Sequence, residues 1–278
     1  MTTLAILHPG SMGAAVAEQA NAESILWCPA GRSDRTRNRA HNAGLIAVDD
    51  LHDLLTRADV ILSICPPGKA AQDTAELVAA GRYRGLFVDA NAISPPRMTR
   101  IADHLRAAGA RVIDACIIGH PPGPLTQSTL YLAGDPEDLT VVTGIFQDSQ
   151  LTPTPLPGPI GTASGFKCAF STYQKTAHTL ATLAHALAAH HQVDAELLAE
   201  AIDRAPGSPL SQPQRLAQGA AKAWRWEPEF GEIADALNDA HLPPDTAHAA
   251  SQVISRWAAF KDNTATTVPT VLDRLRDP

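Results

Sequence analysis

The first half of the chain alternates short strand-forming runs with alanine-rich helical stretches, and no other feature of the sequence restricts the fold as tightly. Leu4–Leu7, Ser24–Trp27, Val60–Ile64, Leu86–Asp89 and Val112–Cys116 are short and mostly apolar, as buried strands are. Between several of them lie segments with helical spacing, such as Ala14–Ala20 and Thr99–Ala108. Parallel strands need crossovers, so this order predicts a doubly wound parallel sheet covered by helices on both faces. Thr129–Ala133 reads as a further strand, and Pro136–Phe146 as the helix after it.

The composition then changes. Leu151–Pro159 carries Pro153, Pro155, Pro157 and Pro159, cannot continue a helix, and reads as an extended connector. Thr162–His191 has no interior proline and is compatible with one helix longer than an ordinary globular one. Asp194–Arg204, Pro213–Trp226, Glu229–Ala240 and Pro244–Phe260 read as further helices parted by proline-containing turns. The expected organisation is an α/β Rossmann domain over 1–158, followed by an all-helical substrate and dimerisation domain over 159–278. The long helix has too few neighbours in its own domain to be covered, so a homodimer through the helical domain is expected.

Charge and cysteine usage exclude several function classes. The net charge is −7 and no basic arm is present, so the chain lacks the electrostatic footprint of a nucleic-acid binder. Met1–His8 has neither the basic start nor the long apolar run of a signal peptide, and no segment reaches the length of a membrane span. The expectation is a cytoplasmic protein without membrane or nucleic-acid partners, acting on a small molecule. Cys28, Cys65, Cys116 and Cys168 are scattered without a CxxC pair and read as reduced thiols, not as a metal site.

The first strand ends in His8-Pro9-Gly10-Ser11-Met12-Gly13 and opens a helix. Glycines here let the backbone approach a pyrophosphate, and the helix start offers amide donors. Gly10 and Gly13 stand at the second and third positions of a GxGxxG turn, with His8 at the first. The same fragment also suits an ordinary strand-helix turn. After the second strand, Arg32, Ser33, Arg35 and Arg37 form a basic patch suited to the 2′-phosphate of NADP(H). Asp34 leaves NAD open, and a solvated charge cluster is the bland alternative. Cys65-Pro66-Pro67 and Asn91 follow two other strand ends, where open sheets meet ligands. The candidate cofactor-binding residues are Gly10, Ser11, Met12, Gly13, Arg32, Ser33, Arg37, Cys65, Pro66 and Asn91.

The chain resembles the β-hydroxyacid dehydrogenase superfamily, which includes 6-phosphogluconate dehydrogenase and the imine reductases. Gly10-Ser11-Met12-Gly13 is similar to its Gly-x-Met-Gly turn, and Asp89–Pro95 to its Asp-x-Ser-Thr-x-x-Pro-like segment. Asp114–His120 falls where the superfamily has Asp-Ala-Pro-Val-Ser-Gly-Gly, and Gly161–Lys167 resembles the lead into its catalytic-lysine helix. The likeness is closer to a branch with a C-terminal domain of unknown function, through His-Pro-Gly-x-Met-Gly, Gly-Arg-Ser and Asp-Ala-Asn-Ala-Ile-Ser-Pro. Two departures concern substrate: Ile118-Gly119-His120 lacks the loop's serine, and Ser171 replaces a frequent asparagine.

The resemblance implies a nicotinamide-dependent oxidoreductase with Lys167 as general acid/base. On a helix Ser171 lies one turn beyond Lys167, with Gln174 and Lys175 on nearly the same stripe. Lys167 and Ser171 are the candidate catalytic residues; Gly119, His120 and Gln174 are the candidate substrate contacts. Lysines simply exposed on a helix are the bland alternative. Ala223–Phe230, rich in aromatics, reads as core or as a substrate wall, and Glu229 and Glu232 as solvated charges. His190 and His191 suit a helix end. Three functions follow: a dehydrogenase of small hydroxy or oxo acids, an imine reductase on the same scaffold, and a non-catalytic NADP-binding regulator.

Overall fold

The computed structural model describes residues 2–65 and 68–276. By internal contacts the chain divides into two compact units, Met1–Lys167 and Cys168–Pro278.

The first unit is a doubly wound sheet. Its elements are β1 (Thr3–Leu7), α1 (Ser11–Ala17), β2 (Ser24–Trp27), α2 (Asp34–Asn42), β3 (Ile46–Ala47), α3 (Leu51–Arg57), β4 (Val60–Ser63) and α4 (Ala70–Ala80). They continue with β5 (Leu86–Asp89), α5 (Pro95–Ala107), β6 (Arg111–Gly123), β7 (Thr126–Ala133), α6 (Pro136–Phe146) and β8 (Leu151–Pro155). The strand order is β3-β2-β1-β4-β5-β6-β7-β8. All neighbours are parallel except the β6–β7 hairpin. Strand alternation splits the apolar side chains between two layers. Leu4, Ile6, Val60, Leu62, Leu86 and Val88 face one layer with residues of α1, α2 and α6. Ala5, Leu7, Ile61 and Phe87 face the other, against α3, α4 and α5. Covering both faces is what a parallel sheet of near-continuous apolar strands requires.

Two strands escape a reading of pattern. Ile46–Ala47 is a two-residue, exposed strand with no alternation to detect. Leu151–Pro155, expected as a connector, pairs in parallel with β7, Leu130 opposite Pro153 and Leu132 opposite Pro155. Prolines are tolerated there because β8 is the sheet's edge, where outward amides have no partner to lose.

α7 (Thr162–His191) starts in the first unit and runs through 30 residues into the second. It stops where Gln192 turns left-handed, φ +58. The second unit continues with α8 (Asp194–Arg204), α9 (Gln214–Ala220), α10 (Ala223–Asp239), α11 (Asp245–Ser255) and α12 (Val268–Arg274). The break expected at Pro228 falls instead at Ala221–Lys222, and α10 runs through Pro228. One lost amide bond is outweighed there by the burial of Phe230, Ile233 and Ala234 against Ile254 and Trp257. Among the described residues no helix is long and apolar enough to cross a membrane.

Candidate cofactor and catalytic site

β1 leads straight into the glycine turn. Gly10 N–H donates to the His8 carbonyl at 2.7 Å, and α1 starts at Ser11. A Cβ on Gly13 would stand 2.8 Å from that carbonyl oxygen, so only glycine leaves the backbone this close. His8 is left-handed, φ +66, a conformation costing about 1–2 kcal/mol for a residue with a Cβ. Its Nδ1 lies 3.0 Å from the Cys65 Sγ, which also meets Ser63 Oγ at 3.3 Å and Thr74 Oγ1 at 3.5 Å. The imidazole thereby ties the ends of β1 and β4, between which the strand order reverses and ligands enter such sheets. Burial, then the Arg32 charge, lowers His8 to about 4, so it is neutral near pH 7. Burial likewise pushes the Cys65 thiol up to about 11, too high for a reactive thiolate. Pro66 lies outside the described residues.

Past β2, Arg32 is half-buried, and its charge is felt at both His8 and Cys65. Ser33 caps α2, accepting from Thr36 N–H at 3.4 Å. Arg37 and Asp34 form an exposed 4.0 Å pair of little energetic weight. Gly10 has no side chain to cap the first-turn amides at Ser11, Met12 and Gly13. The glycine cradle, these amides and the Arg32 guanidinium fit the phosphates of a dinucleotide.

Asn91 is a brace inside the protein. Its Oδ1 accepts from Cys65 N–H at 2.5 Å, and its Nδ2 donates to Ser63 Oγ and Asp89 Oδ1 at 3.2 and 2.8 Å. Both ends of the amide are engaged there and not held out for a ribose. Among the described residues Asp89 Oδ2 has no hydrogen-bond partner, and burial raises this carboxyl to about 7.

Asp114, on β6, anchors the start of α7. Its carboxylate accepts from the amides of Gly161, Ala163 and Ser164 at 2.8–3.2 Å and from Ser164 Oγ at 2.7 Å. These amides are the ones a helix start leaves unpaired. Three residues past the last anchor point, Lys167 Nζ donates to the Ile117 carbonyl at 2.8 Å. The preceding ring, Phe166, lies 4.5 Å from Tyr131. Ile117 stands beyond Asp114 on β6, toward the carboxyl ends of the parallel strands, the end that also carries the glycine turn. Farther along β6, Gly119 has φ +132, and a side chain there would run into Ser128. His120 is exposed, and its carbonyl accepts from the Ser128 hydroxyl.

In the second unit Ser171 and Lys175 are buried, while Tyr173 and Gln174 are exposed. Gln174 therefore leaves the stripe that Ser171 and Lys175 share. Lys175 Nζ lies 2.6 Å from Glu229 Oε2 and donates to Ser171 Oγ at 3.1 Å. Glu232 is buried as well. Neither glutamate is the solvated charge expected, because α10 turns both toward its packed side. The aromatic patch divides: Phe230 and Trp226 join the core, and Trp224 packs near Lys261, its indole donating to Asp262. His190 and His191 stack edge to face at a helix end, and no group of three metal-ligating residues exists among the described residues.

The sequence had singled out neither the anchoring role of Asp114 nor the Lys175–Glu229 pair. An acidic residue in an apolar strand, and a hydroxyl one helical turn before a lysine, were the available signals.

Residues 3–150 match the NAD binding domain of 6-phosphogluconate dehydrogenase, and residues 188–257 match a domain of unknown function, DUF1932. An uncharacterised 28.5 kDa protein of Methanothermus fervidus is 31% identical over 96 residues, 34% of this chain and 36% of that protein. The match spans about a third of that relative's length. Mycobacterium tuberculosis 3-hydroxyisobutyrate dehydrogenase, solved with L-serine, shares the fold at TM-score 0.76 and 19% identity, covering 99% of each chain. An imine reductase variant from Myxococcus stipitatus, in complex with NAD+, gives TM-score 0.58 and 17% identity over 100% of each chain. The chain belongs to the family defined by the NAD binding domain of 6-phosphogluconate dehydrogenase, joined here to a helical domain of unknown function.

Proposed function

We propose that this protein is an NADP(H)-dependent oxidoreductase that moves hydride to or from a small hydroxy or oxo acid, or a related carbonyl compound. Lys167 is its general acid/base. The observation that carries the reading is the placement of Lys167: its ammonium is fixed on the Ile117 carbonyl, in the unit and at the sheet end that hold the glycine turn. A bound nicotinamide supplies the hydride. During reduction the Lys167 Nζ gives its proton to the oxygen that becomes a hydroxyl, and in oxidation it takes that proton back. NADP is favoured over NAD because the Arg32 charge reaches the glycine turn, whereas Asp34 is exposed and faces Arg37.

Imine reduction on the same scaffold is the second reading, supported by the likeness of fold to an imine reductase. A non-catalytic NADP-binding role would leave the fixed lysine without purpose. The protein acts as a homodimer in this proposal, its exposed α7 face covered by a second copy.

Lys167→Met keeps side-chain volume and removes the charge. Turnover is expected to fall about a hundredfold to ten-thousandfold, with NADP+ affinity and melting temperature near wild type. Turnover within a few fold of wild type would remove Lys167 from proton transfer and move the search to His120 and Tyr173.

A further inference from the structure

Helix α10 breaks two local rules on one stripe. Pro228 and Gly231 both lie in its interior, where proline and glycine are the two least favourable residues. Packing does not demand the glycine. Gly231 is exposed, its φ is not left-handed, and a Cβ there would meet nothing within 4 Å. Alanine would hold the helix better without a clash. Where a chain departs from local preference and no packing reason is found, a functional site is the expected cause.

Both residues line a cleft of about 420 Å³ that lies within the second unit, between α10 and α11. Trp224, Glu227, Pro228 and Gly231 form one wall, at steps of three, one and three along α10. His248 and Ser251, three apart on α11, form the other, and the buried Phe230 lies behind them. Glu229, which meets Lys175, leaves from the other side of α10, two residues and about 200° from both Glu227 and Gly231. The Trp224 indole is held in place: its Nε1 donates to Asp262 Oδ1 at 3.2 Å, and Lys261 Nζ stands 4.3 Å from the ring centre. Lys261 and Arg225 sit against the ring but do not line the cleft, whose lining carries one carboxylate, Glu227, and no lysine or arginine among the described residues. The side chains of Glu227 and Ser251 bond nothing else among the described residues. Pro228 has no amide, so the Trp224 carbonyl loses the donor it would take in a regular helix.

We propose that this cleft is a second binding site, which takes a small primary ammonium on a short apolar stem. The three N–H donors of the ammonium meet Glu227, the Trp224 carbonyl and Ser251, and the stem lies along Pro228 and the indole in the space that Gly231 leaves. An anion is repelled by Glu227, and a neutral alcohol forfeits the charge-assisted bonds. The site stands apart from the oxidoreductase reading, because no residue of the cleft has a part in hydride or proton transfer.

The test follows the Trp224 indole N–H resonance of the full chain, assigned by its loss in Trp224→Phe, during titration with butylammonium, butanol and pentanoate, which share one alkyl stem. Butylammonium is expected to shift the resonance saturably with a Kd on the order of 1 mM, and the other two to bind at least about tenfold more weakly. Glu227→Gln should weaken butylammonium roughly tenfold to a hundredfold, the worth of a hydrogen bond to a charged group. Gly231→Leu fills the cleft and should abolish binding, with a melting temperature at or above wild type, because leucine is the better helix former and a Cβ there is clear of neighbours. Equal binding of the three probes would show an unselective apolar crevice and overturn the ammonium assignment, as would unaltered affinity in Glu227→Gln. No saturable shift up to about 50 mM butylammonium, far above that Kd, or full affinity in Gly231→Leu, overturns the site itself.

Discussion

At the scale of single residues, His8 shows how a motif can keep its geometry with the wrong letter. The turn needs a left-handed backbone at that position, which glycine provides without strain. His8 adopts it with φ +66, and its imidazole recovers part of the cost through the contact with Cys65. The glycine cradle was legible because Gly10 and Gly13 keep their spacing; the histidine contact was not, because Cys65 is 57 residues away. Arg32 was legible by its place after β2. Arg32→Ala should weaken NADPH roughly tenfold to a hundredfold and leave NADH nearly unchanged, since only NADPH brings the 2′-phosphate the guanidinium would hold. Fluorescence titration of both cofactors checks this, and equal losses would remove Arg32 from 2′-phosphate recognition.

At the scale of elements, α7 is set by what it lacks and by what grips its first turn. The absence of proline from 162 to 191 lets it run, and Asp114 fixes where it begins. Burial raises the Asp114 carboxyl above the ordinary range even as Ser164, Gly161 and Ala163 donate to it. Asp114→Ala would remove the acceptor of the Gly161, Ala163 and Ser164 amides, leaving two or more of them unpaired. The expected loss is about 2–5 kcal/mol of stability, at roughly 1–3 kcal/mol for each buried donor left unsatisfied. Hydrogen exchange should rise first at Gly161, Ala163 and Ser164. Unchanged protection at those three amides would show that another group holds the helix start.

At the scale of the whole molecule, one face of α7 presents a row of exposed apolar side chains. Phe166, Phe170, Tyr173, Leu180 and Leu187 are exposed, Tyr173 by 76%, Leu180 by 59% and Leu187 by 62%. With Ala177 and Ala184 between them they repeat at alternating steps of four and three, the seam of paired helices. A second copy would bury this seam, and apolar burial is the driving force for that association. Sedimentation at micromolar concentration is expected to give a dimer, and Leu180→Glu to shift it toward monomer. A wild-type monomer under those conditions would refute the assembly.

The sequence by itself determined the doubly wound sheet, the helical second half and the positions of the glycine turn, Arg32 and Lys167. These are local properties: strand and helix periods, the backbone freedom of glycine, and residues placed just past strand ends. Only the tertiary structure decided that Leu151–Pro155 is an edge strand, because prolines lose nothing where no neighbour follows. It alone showed Asp114 gripping a helix start 47 to 50 residues away, and Glu229 turned inward to meet Lys175. Each is a pairing of charge or backbone groups across a long stretch of chain. Period and spacing carry no record of such pairs, because the partners become neighbours only after the core has formed.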